Sequence, residues 1–484
     1  MTTPSDSTTP AGPTKATAQR IPLLEKIGYG FGDLASCLFW QTITFYLLYF
    51  YTDVFGLTAK AAGIMFFVSR VSDAIFDVVI GMVADRTKTR WGKFRPYLLW
   101  MAIPLAVAAV LAFSTPGFGD TGKLIYAYVT FILFMFLYSA INIPYTSLLG
   151  VISGDPVQRA DAATSKFIGA YLAGIVVSAT ALPFAKFFGH GSDAKGWQMT
   201  LGVYGIAAVV FFFITFISTL ERIQPIAKER TSVKNDLKDL VRNVPWMLLF
   251  AVTILFILFV CIRLSVTTHY FKYYVGEQEV TLFGKTHKYG FEVLASAFNT
   301  VGQLLSLVGV GLVPVVARVL GRKRAAIILF IAALIFTGSF YFFKPNQLLL
   351  IFVFQILGSI AGGPISALLW IMYADTADYS EWKTGRRATG LVFSASIMSN
   401  KLGWAVGSMI AGAILAATGF VPNVVQNLDV QNGLKAMMSA IPTGIGVVAL
   451  ILLFFYRLDE KTMTKVKAEL EERRKASGVG AAAA

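Results

Sequence analysis

RVSDAIFDVVIGMVADRTKTRWGKFRP, residues 70–96, decides how this chain reads. Arg70, Asp73 and Asp77 fall three and four residues apart in an almost wholly apolar run, so all three project from one face of a single helix. An ionisable group at the centre of a membrane helix costs about 2.5–3.5 kcal/mol on insertion scales, and it persists only beside a partner or in a wet cavity. Asp85, Arg86, Lys88, Arg90, Lys93 and Arg95 then crowd a short hinge before the next apolar run begins at Tyr97. The helix carries the buried acids, and the basic hinge sets which way it points.

Outward from this stretch the chain stays apolar. Of 484 residues, 56% are hydrophobic and only 14% are charged, against about 25% charged in soluble proteins. Runs long enough to cross about 30 Å of hydrocarbon cover 30–53, 61–84, 97–114, 124–149, 165–187, 200–220, 246–275, 291–316, 325–343, 347–372, 389–417 and 436–456. The chain therefore reads as an all-α integral membrane protein with twelve transmembrane helices. Its net charge of +15 sits in alternate loops, including Arg222 to Arg242, Arg318 to Arg324, and the tail from Arg457 to Lys475. That alternation is a topology signal, so nucleic acid is not an expected partner, and the positive-inside bias places both termini in the cytoplasm.

Cys37 and Cys261 lie inside predicted spans and suggest no disulfide framework. Residues 1–21 read as a disordered cytoplasmic tail without the pattern of a signal peptide. Residues 22–220 form an N-terminal six-helix bundle, 221–245 a central cytoplasmic loop, 246–456 a C-terminal six-helix bundle, and 457–484 a cytoplasmic tail. In the central loop, Leu237, Leu240, Val241 and Val244 recur at helical spacing, which suits either a segment lying on the membrane surface or a solvated linker helix. The halves echo each other: Pro144 and Pro364 each precede a small, hydroxylated Leu-Leu turn, and each segment ends in acids and then a base, Asp155 with Arg159, and Asp375 and Asp378 with Arg386. Helix 4 of six and helix 10 of twelve are the positions two parallel repeats require.

His190, His269 and His287 have no metal-ligand spacing, and no phosphate loop, G-x-S-x-G or Cys-His pairing occurs. Neither an enzyme nor a cofactor is expected. Asp73 and Asp77, one turn apart, repel each other, so their titrations couple and a proton or monovalent cation relieves the strain. The alternative is a structural ion pair with Arg70. Lys166, Arg263 and Lys401 are further intramembrane cations that could hold carboxylates or hydroxyls, with Lys166 alternatively an interfacial anchor. Trp40, Tyr138, Asn142, Thr146 and Trp370 add the aromatic faces and hydrogen-bonding groups that suit a sugar ring, although aromatics in a span also serve plain packing.

GYGFGDLAS from Gly28, FYTDVFGLTAKAAG from Phe50, RVSDAIFD from Arg70, DRTKTRWGKFRP from Asp85, NIPY from Asn142 and ADTADYSEWKTGRRATG from Ala374 resemble the glycoside-pentoside-hexuronide:cation symporters, the group that includes the melibiose carrier. The resemblance runs from about residue 22 to 456. It implies the 6+6 major facilitator fold, a bacterial-type plasma (inner) membrane location, a monomer, and no cofactor beyond a coupling H⁺ or Na⁺. It further implies a cation site at Asp73, Asp77 and Ser139, and sugar contacts at Cys37, Asn142, Thr146 and Lys166, with Lys401 bridging to the cation site. Two acids that would grip sugar hydroxyls are replaced by Cys37 and Asn142, which counts against a galactoside. Phe76 stands where an amide oxygen would help hold Na⁺, which implies H⁺ coupling over Na⁺. Asp85, Arg86, Arg90, Arg95, Asp375 and Asp378 are expected to gate the cytoplasmic side. A cation-coupled lysolipid carrier and a non-transporting membrane sensor are the rival readings.

Overall fold

The computed structural model describes residues 21–153, 155–222, 240, 242–282, 285–385 and 389–476. The expected N-terminal tail, most of the central loop and Arg386 lie outside the described residues.

Among the described residues nine helices are long and apolar enough to span a membrane. Three further spans fall short of that pattern for identifiable reasons. Helix α2 (Ala59–Arg86) carries the charges quoted above, span 3 is broken at Met101 into α3 (Arg95–Trp100) and α4 (Ala102–Ala112), and α13 (Thr389–Ala417) carries Lys401 at its middle. The first half is completed by α1 (Leu23–Tyr49), α5 (Asp120–Val151), α6 (Pro156–Gly189) and α7 (Asp193–Ser218). The second half has α8 (Val244–Tyr270), α9 (Phe291–Gly311) with a short continuation α10 (Val313–Leu320), α11 (Arg322–Gly338), α12 (Leu348–Thr384), α13, and a last span of α14 (Leu428–Met438) and α15 (Ala440–Phe454). The chain is a multi-pass helical membrane protein of six plus six spans.

The repeat shows in a detail that composition hides. Helix α1 closes in a π-turn, Phe50–Val54, and α8 closes in another, Phe271–Val275. The Phe55 N–H donates to the Phe50 carbonyl, and the Gly276 N–H to the Phe271 carbonyl, each at 2.8 Å. Wide turns of this kind are rare and concentrate at functional sites. Here they occupy the same position in the two halves.

Two expected boundaries shift. Helix α12 runs three turns past 372 and stops only where Gly385 takes a left-handed conformation (φ 71°) and its N–H caps the Glu381 carbonyl, so Asp375 and Asp378 lie on a helix and not in a loop. The tail after the last span forms α16 (Glu460–Ala476), because Met463, Val466 and Leu470 make a buried stripe at helical spacing in a charged segment. The charge-balanced loop after α8 is a hairpin, β1 (Gln278–Leu282) paired antiparallel with β2 (Lys285–Tyr289), and Lys288 pairs with Glu277 at 2.5 Å.

The core is continuous across the halves at one face only. We call the face bearing the start of α1 the terminal face and the opposite one distal. The first-half core continues into Val266, Tyr270, Phe271 and Phe298, and into Ala411 and Leu415, all on the distal part of the second half. The terminal part of the second half has its own core around Trp246, Phe256, Phe330 and Tyr373. At the distal end α2 and α13 touch backbone to backbone: a Cβ added at Gly412 would stand 2.5 Å from the Ala59 carbonyl oxygen and 2.9 Å from Gly63 Cα.

Candidate cation and substrate site

Asp73 is buried on the face of α2 that meets α5 and α13. Ser139 Oγ donates to Asp73 Oδ1 at 2.7 Å, and Lys401 Nζ donates to Asp73 Oδ2 at 2.9 Å. The same ammonium pairs with Asp77 Oδ2. One lysine from the second half thus sits between two carboxylates of the first, which offsets much of their repulsion and leaves one net negative charge. The Arg70 ion pair considered from sequence is not the arrangement adopted: its guanidinium lies over the Trp40 ring, 4.2 Å from the centroid. Phe76 packs edge-on against Phe136 at 5.2 Å and brings no oxygen to the carboxylates.

A second polar cluster lies on α1, α5 and α6. Lys166 Nζ is 3.8 Å from Asp33 Oδ1, donates to Thr146 Oγ1 at 3.4 Å, and sits over the Tyr145 ring. The Cys37 thiol is 3.9 Å from Asp33 Oδ2. Asp33 is the residue that sequence reasoning passed over, although an acid inside GYGFGDLAS was a visible signal of the same kind as Asp73. Tyr138, Asn142 and Thr146 follow at four-residue steps along α5, and Tyr138 stacks on Trp40 at 5.5 Å.

Between the halves lies a cavity of about 410 Å³, of the size small-molecule sites take. Trp40, Gln41, Arg263, Asn299, Gln303 and Gln355 supply much of its polar lining. Of the expected sugar residues, Trp40 and Arg263 line this cavity, and the Asp33 cluster and Lys401 do not. Trp370 lies elsewhere, stacked against Phe393 at 6.2 Å and beside Tyr373 in the second-half core.

The distal face is closed by a polar clasp that sequence reasoning did not find. Asp53, on the π-turn of α1, is 2.9 Å from Lys272 Nζ and 3.2 Å from His269 Nε2, and accepts from Tyr273. Asn423 donates from Nδ2 to the Asp53 carbonyl at 2.7 Å and accepts from Lys272 at 2.7 Å. Lys186 and Glu292 add a second link at 2.9 Å. The residues expected to gate sit at the terminal face, each within its own half. Asp85 and Arg86 are exposed, Arg90 stacks on Trp91, and Arg95 ties α3 to α7 by donating to the Phe216 carbonyl at 2.6 Å. Asp375 accepts from Arg322 at 2.5 Å and lies 3.6 Å from Lys467, while Asp378, half-buried, is one turn further along the same helix.

Two parallel six-helix halves, buried opposite charges facing each other across their interface, and a polar cavity between them define a transporter of the major facilitator type. The family model for MFS/sugar transport proteins matches residues 28–460, and the chain belongs to that family, among the glycoside-pentoside-hexuronide:cation symporters. It is 35% identical over 460 residues to the isoprimeverose transporter of Lactiplantibacillus pentosus, covering 94% of this chain and 92% of that one. It is also 35% identical over 463 residues to the putative glycoside/cation symporter YagG of Escherichia coli (strain K12), covering 95% and 97%. In fold it is similar to the nucleoside transporter NupG (TM-score 0.61, 14% identity, 90% of this chain and 99% of that one). It also resembles a bacterial homologue of the human lysosomal transporter Spinster in its inward-facing, occupied form (TM-score 0.64, 14% identity, 92% and 97%).

Proposed function

We propose that this protein is a secondary active symporter that carries a glycoside into the cytoplasm by alternating access, coupled to a monovalent cation at Asp73 and Asp77. The observation that carries this reading is Lys401, one positive charge of the second half held between two acids of the first. An ion arriving at Asp73 and Asp77 competes with that ammonium, so occupancy of the cation site and the contact between the halves cannot be independent. Because such coupling is reciprocal, the sugar tightens the ion by the factor by which the ion tightens the sugar. Two carboxylates and one hydroxyl give a proton a ready acceptor but offer a sodium ion few oxygens, which favours H⁺.

The terminal face, with its basic loops, is taken as cytoplasmic, which makes this conformation the inward-facing one with the outer gate clasped. A membrane potential of 100 mV supplies about 2.3 kcal/mol per charge and each tenfold ion gradient about 1.4 kcal/mol more, enough to concentrate a neutral sugar. The similarity to the isoprimeverose transporter and to a glycoside/cation symporter supports a glycoside as cargo. The deciding experiment is uptake by sealed vesicles offered glycosides, pentosides and uronides under separately imposed H⁺ and Na⁺ gradients. Uphill accumulation driven by H⁺, lost in Asp77→Asn while sugar exchange is largely spared, is expected; accumulation unchanged in that variant overturns the reading.

A further inference from the structure

The three intramembrane lysines of this protein have carboxylate partners, and the two intramembrane arginines, Arg70 and Arg263, have none among the described residues. Lys401 has Asp73 and Asp77, Lys166 has Asp33, and Lys272 has Asp53. Arg263, in the middle of α8, forms no ion pair among the described residues. Its Nη2 donates to the neutral Gln355 Oε1 at 2.8 Å, its guanidinium carbon lies 4.7 Å from the Phe340 ring centroid, and its Nε is buried without an acceptor. Arg263 lines the 410 Å³ cavity, and it is the one Lys, Arg, Asp or Glu among the described residues that do so. The remaining polar lining is amide, hydroxyl and indole, and one of those amides, Asn299 Nδ2, is again a buried donor without an acceptor. Arg70, stacked on Trp40, adds a second positive charge behind the cavity wall.

A half-buried guanidinium that lacks a counter-charge and has a buried N–H without an acceptor is unfavourable, and removing the imbalance takes an anion, not another neutral donor. The planar fork of Arg matches the two oxygens of a carboxylate, and the aromatic and amide walls suit the body of a sugar ring. We propose that this cavity selects acidic sugars, with the ring carboxylate received by Arg263 and its oxygens satisfying the unspent donors. The inference rests on the glycoside reading above and narrows its cargo from sugars in general to sugar acids. Arg263 then serves as counter-ion to the cargo, and Gln355 holds its guanidinium in place.

The test compares sugars that differ only at C6. Purified protein in lipid nanodiscs is titrated with methyl β-D-glucuronide and methyl β-D-glucoside, and with the galacturonide and galactoside pair, at neutral pH. The acid member of at least one pair is expected to bind about 10- to 100-fold more tightly, the range a charge-assisted contact supplies. Arg263→Gln is expected to bring that ratio to about 1, and Arg263→Lys to keep part of it, since it keeps the charge but not the fork. If Arg263→Gln does not fold, the wild-type ratio and Arg263→Lys still decide. Equal or tighter binding of the neutral sugars, or an acid preference that survives Arg263→Gln, overturns this inference and leaves glycoside transport standing. No binding of either member of either pair overturns both.

Discussion

Lys401 Nζ stands 2.9 Å from Asp73 Oδ2, a contact between residues 328 positions apart that joins the two halves at mid-depth. The ammonium neutralises one of two neighbouring acids and also occupies the place an incoming cation needs. Lys401→Gln removes the competitor and the link together. Cation affinity, followed by titration of the purified protein, is expected to rise about tenfold, and concentrative uptake to disappear. Weaker cation binding in the variant would show that the lysine builds the site and does not contest it.

Asp53 gathers contacts from Lys272, His269 and Tyr273, and its own carbonyl accepts from Asn423. A hydrogen bond to a charged group is worth about 1.5–3 kcal/mol, so Asp53→Asn is expected to shift the population away from the distally closed form by about 10- to 100-fold. Cys37, half-buried beside Asp33, is a native reporter. A membrane-impermeant maleimide applied from the distal side should label it several-fold faster in the variant.

Gly412 reaches the same closure by sterics alone. A side chain there meets the Ala59 carbonyl and Gly63 Cα at distances no real Cβ tolerates, and the neighbours are backbone, which cannot turn aside. Gly412→Val is therefore expected to hold α2 and α13 apart, raise distal labelling of Cys37 as Asp53→Asn does, and cut transport at least tenfold. Labelling that stays at the wild-type rate would mean the helices separate elsewhere.

Glu460 opens α16 and pairs with Arg322 at 2.9 Å. That hydrogen bond holds its carboxyl below the ordinary value of 4.5. A carboxyl lowered in the folded state contributes stability above its unfolded value and loses it as pH falls through the lower folded one. Glu460 is itself exposed to solvent, so the contribution is under about 1 kcal/mol. Hydrogen exchange of α16 is expected to be faster in Glu460→Gln than in wild type at pH 6, and the two should converge below about pH 4.

Much of the site was legible because charge in oil is conspicuous. Asp73, Asp77, Lys166, Arg263 and Lys401 each break an apolar run, and a broken run is visible in one dimension. Asp33 broke one as plainly and was overlooked. The clasp was harder to read: Asp53, Lys272 and Asn423 sit at span ends, where polar residues need no explanation. Spacing alone offered Arg70, three residues from Asp73, as the nearer partner, and only the family resemblance pointed to Lys401, which is the partner in space.

The sequence by itself determined a membrane bundle of twelve spans in two halves, with acids on α2 and cations inside other spans, because hydropathy and helical period are local properties. Only the tertiary structure decided that the halves close at the distal face and that Arg263 faces a cavity to which the described residues bring no acid. Those are facts about distances between segments hundreds of residues apart, set by how glycine-lined helices and buried charges pack, and no period along the chain encodes them.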